Sequence, residues 1–353
     1  MANTYKLLIV DDSKFIRKAV SKIFEADDRI QVAGEAADGE EALEMLLQLD
    51  ADVVTLDVEM PVMDGITTLK HMMIQTPTPT VMLSSLTKEG ATVTFDALKY
   101  GAVDFVPKPS NLESEDLKEQ ARNIISKVNL AAEIEVESIQ YIRALKKDKP
   151  SKQSNEIEYK NIVVMGAAEG GYGTLLNIIP QLPPDLPMAY LIVLYAATKH
   201  VDSFTGYMDE HSSVKVKRVK DGEAIEGGVC YLGAGGEYIT VQSKNDELVF
   251  QVSPAPFSSR RGSINMLMFS VAEALGNRSV GVILSGAGGD GTEGISEISR
   301  VGGAVIVQDP KTCLYKEMAK SALDRCKTDI VVSDVKIPSA IGGLKSKNLK
   351  HSK

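Results

Sequence analysis

Short apolar runs alternate with amphipathic stretches along the first 130 residues. Residues 7–10, 31–34, 53–56, 80–83 and 104–106 are compact, mostly apolar and bounded by polar or turn-forming residues, which predicts five strands. Between them apolar residues recur at helical spacing. Phe15, Ile16, Ala19, Val20, Ile23 and Phe24 make one face, with Asp12 or Ser13 as its N-cap, and Ala42, Leu43, Leu46 and Leu47 make the next. Alternation of this kind predicts a parallel sheet covered by helices on both faces. Leu117, Ala121, Ile124 and Val128 continue the helical pattern. Ile134, Val136, Ile139 and Ile142 either extend that helix or belong to a second one, which packs on a domain or dimerises. From Lys146 to Glu156 the chain is polar, contains Pro150 and has no apolar period, as a linker does.

A second set of strands follows at 162–165, 189–194, 214–219, 229–232, 238–241, 248–252, 280–284, 304–307 and 330–332. Helices are expected around 202–209 and 264–275. The expected organisation is an α/β domain over 1–130 with a five-stranded, doubly wound parallel sheet, and a helical connector and linker over 131–159. A second doubly wound α/β domain with a β-hairpin insertion follows over 160–341, then a basic, frayed tail over 342–353. A chain of 353 residues accommodates about two domains.

Composition narrows the function classes. A net charge of -9 and no helix-turn-helix pattern argue against nucleic acid as a partner. No apolar run approaches the roughly 18 residues of a membrane span. Tyr5-Lys6 leads directly into the first strand, so neither membrane insertion nor a signal peptide is expected. Cys230, Cys313 and Cys326 lie far apart with no metal-binding spacing, which is the usage of a reduced, cytoplasmic protein.

The candidate chemistry of the first domain sits at strand ends. Asp11 and Asp12 follow the first strand. Asp57 ends the third, just before Pro61 and the Asp64-Gly65 turn. In open α/β sheets the carboxyl ends of the strands are where ligands bind. Three converging carboxylates repel one another unless a hard divalent cation neutralises them, and Mg²⁺ suits an all-oxygen site. Ser84 ends the fourth strand and Lys108 follows the fifth. A metal, a lysine and a hydroxyl around one aspartate make a phosphoryl-accepting site.

With these residues in place, positions 5–125 resemble the receiver domain of bacterial two-component response regulators. The resemblance implies Asp57 as phosphoacceptor, with Asp11, Asp12, Asp57 and the main-chain carbonyl of Glu59 as Mg²⁺ ligands. It also implies Ser84 as the switch hydroxyl, Lys108 as the phosphate-contacting lysine, Phe105 as the rotating aromatic of the output face, and a histidine kinase as partner.

The second domain resembles the catalytic domain of the CheB family of chemotaxis protein-glutamate methylesterases. The matching stretches are Met165-Gly-Ala-Ala-Glu-Gly-Gly171, Asp221-Gly-Glu-Ala-Ile-Glu-Gly-Gly-Val-Cys-Tyr-Leu232, Arg261-Gly-Ser-Ile-Asn265 and Gly281-Val-Ile-Leu-Ser-Gly-Ala-Gly-Gly-Asp-Gly291. That family hydrolyses a glutamyl methyl ester with a Ser-His-Asp triad. Here the serine position is Ala168, and the histidine position falls on Tyr195 or Ala196. Only the aspartate persists, as Asp290. The family's Ala-Pro-Gly-Asp turn is Gly233-Ala-Gly-Gly236, and a family proline and aspartate are replaced by Gly262 and Asn265. Losing a triad serine alone typically removes about six orders of magnitude from the rate. What remains for hydrolysis is an oxyanion hole from the backbone of Gly170 and Gly171, with His200 or Ser285 as substitute base or nucleophile and Tyr195 or Tyr172 to hold substrate. The expected function is that of a response regulator whose second domain binds chemoreceptor helices, a kinase or another chemosensory protein without cutting them. An esterase or glutamine deamidase with an unusual nucleophile and a phosphate sink are the alternatives.

Overall fold

A computed structural model describes residues 4–84, 88–109, 115–134, 159–245, 247–255 and 262–348. The chain divides into two compact units, Met1–Ala144 and Leu145–Lys353.

The first unit carries β1 (Tyr5–Val10), β2 (Ile30–Ala36), β3 (Val53–Asp57), β4 (Thr80–Ser84) and β5 (Asp104–Pro107). They form one parallel sheet in the order β2-β1-β3-β4-β5. The helices α1 (Lys14–Phe24), α2 (Gly39–Leu49), α3 (Gly65–Gln75), α4 (Lys88–Lys99) and α5 (Glu115–Ala132) connect and follow the strands. β3 and β4 are buried along their whole length, as a sheet covered on both faces requires. Ser13, not Asp12, caps α1, its hydroxyl accepting from Ile16 N–H. Asp12 is thereby left exposed for other work.

The turn after β3 is unusual. Met63 N–H donates to the Pro61 carbonyl at 2.7 Å around Val62, whose φ is +66°. This is a γ-turn with a β-branched residue at its centre, a strained conformation. Val62 is 74% exposed and gains no burial in return. Val62→Asn is expected to raise the unfolding free energy of this domain by about 1 kcal/mol, because asparagine tolerates positive φ. Chemical denaturation of the two proteins side by side checks this.

The second unit carries a seven-stranded parallel sheet. Its strands are β6 (Asn161–Ala167), β7 (Met188–Leu194), β8 (Lys215–Arg218), β9 (Val229–Ala234), β12 (Ser279–Ile283), β13 (Ala304–Gln308) and β14 (Ile330–Val332). Their order is β14-β13-β12-β6-β7-β9-β8. β10 (Glu237–Lys244) and β11 (Glu247–Pro254) form the expected separate antiparallel hairpin. The helices are α6 (Gly171–Ile178), α7 (Thr198–His211), α8 (Ser263–Leu275), α9 (Thr292–Arg300), α10 (Glu317–Arg325) and α11 (Ile337–Asn348). One face of the sheet packs into an apolar core that includes Val164, Leu191, Tyr231, Phe250, Leu267 and Val305.

Two expectations need adjustment. The helix expected around 202–209 begins earlier, at Thr198, which puts His200 in its first turn with its N–H bonded to the Ala197 carbonyl. The tail expected from 342 is helical through Asn348, anchored by buried Ile337 and Ile341. Within the connector placed at 131–159, residues 135–158 lie outside the described residues, and α5 ends at Ala132.

Candidate functional site

In each sheet the strand order reverses, and the functional positions cluster at the carboxyl ends of the strands beside that reversal. In the first unit β1 and β3 are neighbours in register, with Val10 opposite Leu56. The next residues of the two strands, Asp11 and Asp57, therefore emerge side by side. Gly65 allows the turn that follows, since a Cβ there would lie 1.9 Å from the Asp57 carbonyl oxygen.

Oxygens of Asp11, Asp12 and Asp57 all lie within 4.8 Å of one another. Asp11 and Asp57 are buried. Lys108 reaches both, with Nζ 3.0 Å from Asp11 Oδ2 and 2.7 Å from Asp57 Oδ2. Burial pushes the Asp57 carboxyl up to about 6; the Lys108 hydrogen bond and charge oppose this, and the neighbouring Asp11 charge adds to it. For Lys108 itself burial acts to lower the value, but Asp57 and Asp11 outweigh it and the net direction is up. Asp57 Oδ1 also accepts from Glu59 N–H at 3.3 Å. A donor set made of carboxylate oxygens, with two of the acids buried, fits a hard divalent cation. A cleft of about 680 Å³ lined by Asp12, Glu59, Met60, Asp64 and Lys70 adjoins the cluster.

Of the other residues expected in this unit, Ser84 ends β4 and Phe105 lies on β5. Ser84 is buried, its hydroxyl 2.7 Å from that of Thr94 on α4. Phe105 is also buried, edge-on to Phe95 at 5.9 Å between ring centroids. Lys127 on α5 holds the start of β5, 2.8 Å from Asp104 Oδ1 and 2.9 Å from the Phe105 carbonyl, with its Nζ 5.2 Å from the Phe105 ring centroid.

In the second unit β6 leads to Ala168, β7 to Tyr195, and the loop after β12 to Asp290. Tyr195 N–H bonds the Ala167 carbonyl and Ala168 N–H bonds the Ser285 carbonyl, each at 3.0 Å, so these three strand ends are tied together. Of the two positions that the sequence left open, Tyr195 is the one that faces Asp290: its hydroxyl donates to Asp290 Oδ2 at 2.6 Å. The same hydroxyl accepts from Gly262 N–H at 2.8 Å and Ser263 N–H at 3.2 Å. A proline at position 262 has no N–H and would remove the shorter of those bonds. The Tyr195 ring lies over Gly235, where an added Cβ would come within 2.3 Å of it. Asp290 further accepts from Ile264 N–H at 3.1 Å, Asn265 N–H at 3.2 Å and Gly291 N–H at 2.8 Å. It thus serves the start of α8, whose N-cap Gly262 has no side chain to offer. Desolvation, then Asp290, pushes the Tyr195 hydroxyl up to about 12, so it stays protonated at neutral pH.

Of the residues considered as replacements, His200 is half-buried in the first turn of α7, whereas Ser285 and Tyr172 are enclosed. Ser285 is fully buried, its hydroxyl 3.1 Å from the Glu169 carbonyl and accepting from Tyr315 N–H at 3.1 Å. The Gly171 N–H, expected in an oxyanion hole with Gly170, bonds the Ala168 carbonyl at 2.9 Å. Tyr172 is buried edge-on against Phe204, with centroids 4.9 Å apart. Burial raises the thiols of Cys230, Cys313 and Cys326, Cys313 to about 12. Arg261 lies outside the described residues. Sequence reading missed the Gly262 and Ser263 N–H groups as partners of Tyr195, although the missing proline at 262 was the available signal.

Fold and sites together define a response regulator in which a receiver domain is joined to a methylesterase-type α/β domain. Residues 7–122 match the model of the response regulator receiver domain, and residues 163–341 match that of CheB methylesterase. The chain belongs to the CheB methylesterase family. It is 38% identical over 97% of its length, and 94% of the relative's, to a protein-glutamate methylesterase/protein-glutamine glutaminase of Pyrococcus horikoshii. It is 36% identical to the protein of the same description from Caldanaerobacter subterraneus, over 96% of this chain and 95% of that one. The crystal structure of the Thermotoga maritima CheB methylesterase catalytic domain superposes with a TM-score of 0.50 at 29% identity, covering 52% of this chain and 98% of that one. Among the described residues no helix is long and apolar enough to cross a membrane.

Proposed function

We propose that this is a cytoplasmic, chemosensory-type response regulator, phosphorylated on Asp57 by a histidine kinase, whose second domain acts by binding and not by hydrolysis. One observation carries the second half of this reading. Alanine stands at the nucleophile position, and the retained Asp290 is engaged by a tyrosine hydroxyl and the start of α8 in place of a histidine.

In the receiver an Asp57 carboxylate oxygen attacks phosphorus. The bond from phosphorus to the donor breaks and its electron pair leaves with the donor. Mg²⁺, for which Asp11, Asp12, Asp57 and the Glu59 main-chain carbonyl are the ligands, supplies neutralising charge when bound. Lys108 is already within reach of the Asp57 carboxylate and holds the phosphoryl oxygens. The Ser84 hydroxyl turns from Thr94 towards the new anion, and Phe105 responds on β5, so the change reaches α4.

A hydrolytic mechanism in the second domain lacks a nucleophile at Ala168 and a base at Tyr195, whose phenol stays protonated at neutral pH. The names of the relatives favour a second reading, retained methylesterase or glutaminase activity. Candidate partners for the binding reading are chemoreceptor cytoplasmic helices or other chemosensory proteins, and the net charge of -9 speaks against nucleic acid. The deciding experiment is methanol release from methylated chemoreceptor by the full-length protein, with Mg²⁺ and a phosphoryl mimic on Asp57. The expected result is no release above background with receptor binding retained. Release that co-purifies with the protein would establish the second reading instead.

A further inference from the structure

The carboxylate cluster is held from behind by a side chain that has no assigned role. We infer that Arg17 is the positioning residue of the metal site, its guanidinium fixing the Asp11–Asp12 turn in the conformation that keeps the three carboxylates together. This rests on the Mg²⁺ reading above.

Arg17 lies on α1, one turn past the Ser13 cap. Its Nη1 donates to the Asp11 carbonyl at 2.8 Å and to the Asp12 carbonyl at 3.2 Å. Its Nε donates to Glu35 Oε2 on β2 at 3.3 Å. The side chain is only 14% exposed. One planar group therefore joins the turn after β1 to the adjacent strand.

The turn needs such a restraint. Like charges this close repel strongly at the effective dielectric of a protein surface, so three neighbouring carboxylates favour opening the turn before a cation arrives. Lys108 counters this between Asp11 and Asp57. The strand that carries Asp57 is buried and hydrogen-bonded on both sides, whereas Asp12 sits on the exposed side of the turn. Bonds from Arg17 to both carbonyls restrict the peptide planes that orient Asp11 and Asp12, and the Asx bond from Ser13 N–H to Asp11 Oδ1 at 2.9 Å completes the restraint. A lysine at 17 offers a single point donor and does not reproduce a guanidinium fork directed at the carbonyls and Glu35 together.

The test uses full-length wild type, R17M, R17K and E35Q. Mg²⁺ binding is measured by calorimetry on metal-free protein, and the Mg²⁺ dependence of Asp57 phosphorylation is measured with acetyl phosphate, which loses its phosphoryl group and leaves as acetate. Outer-shell partners of metal ligands typically contribute ten- to a hundredfold in affinity, so R17M is expected to raise the half-saturating Mg²⁺ concentration by about that factor. The rate at saturating Mg²⁺ is expected to stay within about threefold of wild type, the split that separates positioning from a general loss of fold. R17K should recover part of the loss, and E35Q, which removes only the outer anchor, should shift the same constant by less. If R17M does not fold, R17K and E35Q carry the test, and an unchanged Mg²⁺ constant in both overturns the inference. Wild-type binding that a folded R17M leaves unaltered also overturns it while the Mg²⁺ reading stands. A wild-type protein that takes up no Mg²⁺ overturns both.

Discussion

Asp290→Asn is expected to destabilise the second domain by about 2–3 kcal/mol. In a Ser-His-Asp enzyme the aspartate orients a histidine, and its loss reads chiefly in the rate. Here Asp290 is buried and accepts four bonds: from the Tyr195 hydroxyl, from Ile264 N–H and Asn265 N–H at the start of α8, and from Gly291 N–H at the start of α9. Hydrogen bonds to a charged group contribute about 1.5–3 kcal/mol, and loss of a helix cap costs about 1 kcal/mol. Asparagine keeps one acceptor oxygen and turns donors towards groups that already donate, so only part of this set survives. Tyr195→Phe should cost less, about 1–2 kcal/mol, because it strands the Gly262 and Ser263 N–H groups and removes one donor to Asp290. The double variant should cost less than the two single changes together, since both act on one network. Denaturant unfolding, resolved into the transitions of the two domains, measures all three. An unchanged second-domain transition in Asp290→Asn would show that this aspartate is not structural.

The second large effect concerns Asp57 without metal. Its carboxyl is raised from 3.8 to about 6 in the fold, a change worth roughly 3 kcal/mol. A carboxyl raised in this way is protonated more readily in the fold than in the unfolded chain. Its contribution is fully present below pH 3.8 and is lost as pH rises through about 6. Metal-free receiver should therefore lose stability over that window. Asp57→Asn should remove the slope and stabilise the metal-free domain at pH 7.5 by about 2 kcal/mol, while abolishing phosphoryl acceptance. A cation that binds the ionised carboxylates competes with protons, so added Mg²⁺ should raise the melting temperature more at pH 7.5 than at pH 5. Melting curves of wild type and Asp57→Asn across pH, with and without Mg²⁺, decide it. An Asp57→Asn protein with the wild-type pH slope would rule out Asp57 as the titrating group.

The receiver site was legible in the sequence for a local reason. Asp11, Asp57 and Ser84 each stand at or just past the end of an apolar strand, and parallel strands in one sheet bring their carboxyl ends to one edge. Strand and turn patterns therefore suffice to place them together. Arg17 and Thr94 were not legible. An arginine in a helix reads as solvated and a threonine as neutral, and their partners, the Asp11 and Asp12 carbonyls and the Ser84 hydroxyl, carry no sequence signal.

In the second domain the sequence by itself determined that alanine stands at 168 and tyrosine at 195, because that is a matter of which side chains exist at two positions. It also determined the α/β class, which follows from apolar periodicity. Only the tertiary structure decided what surrounds those two positions. Tyr195 and Gly262 are 67 residues apart, and Tyr195 and Asp290 are 95 apart. They meet because β6 lies between β7 and β12 in the sheet, an order set by long-range packing that no local pattern records. The same packing turned the expected substitutes inward. Ser285 and Tyr172 are buried where strand ends and helices meet, and burial, not residue type, sets whether a hydroxyl is available for chemistry.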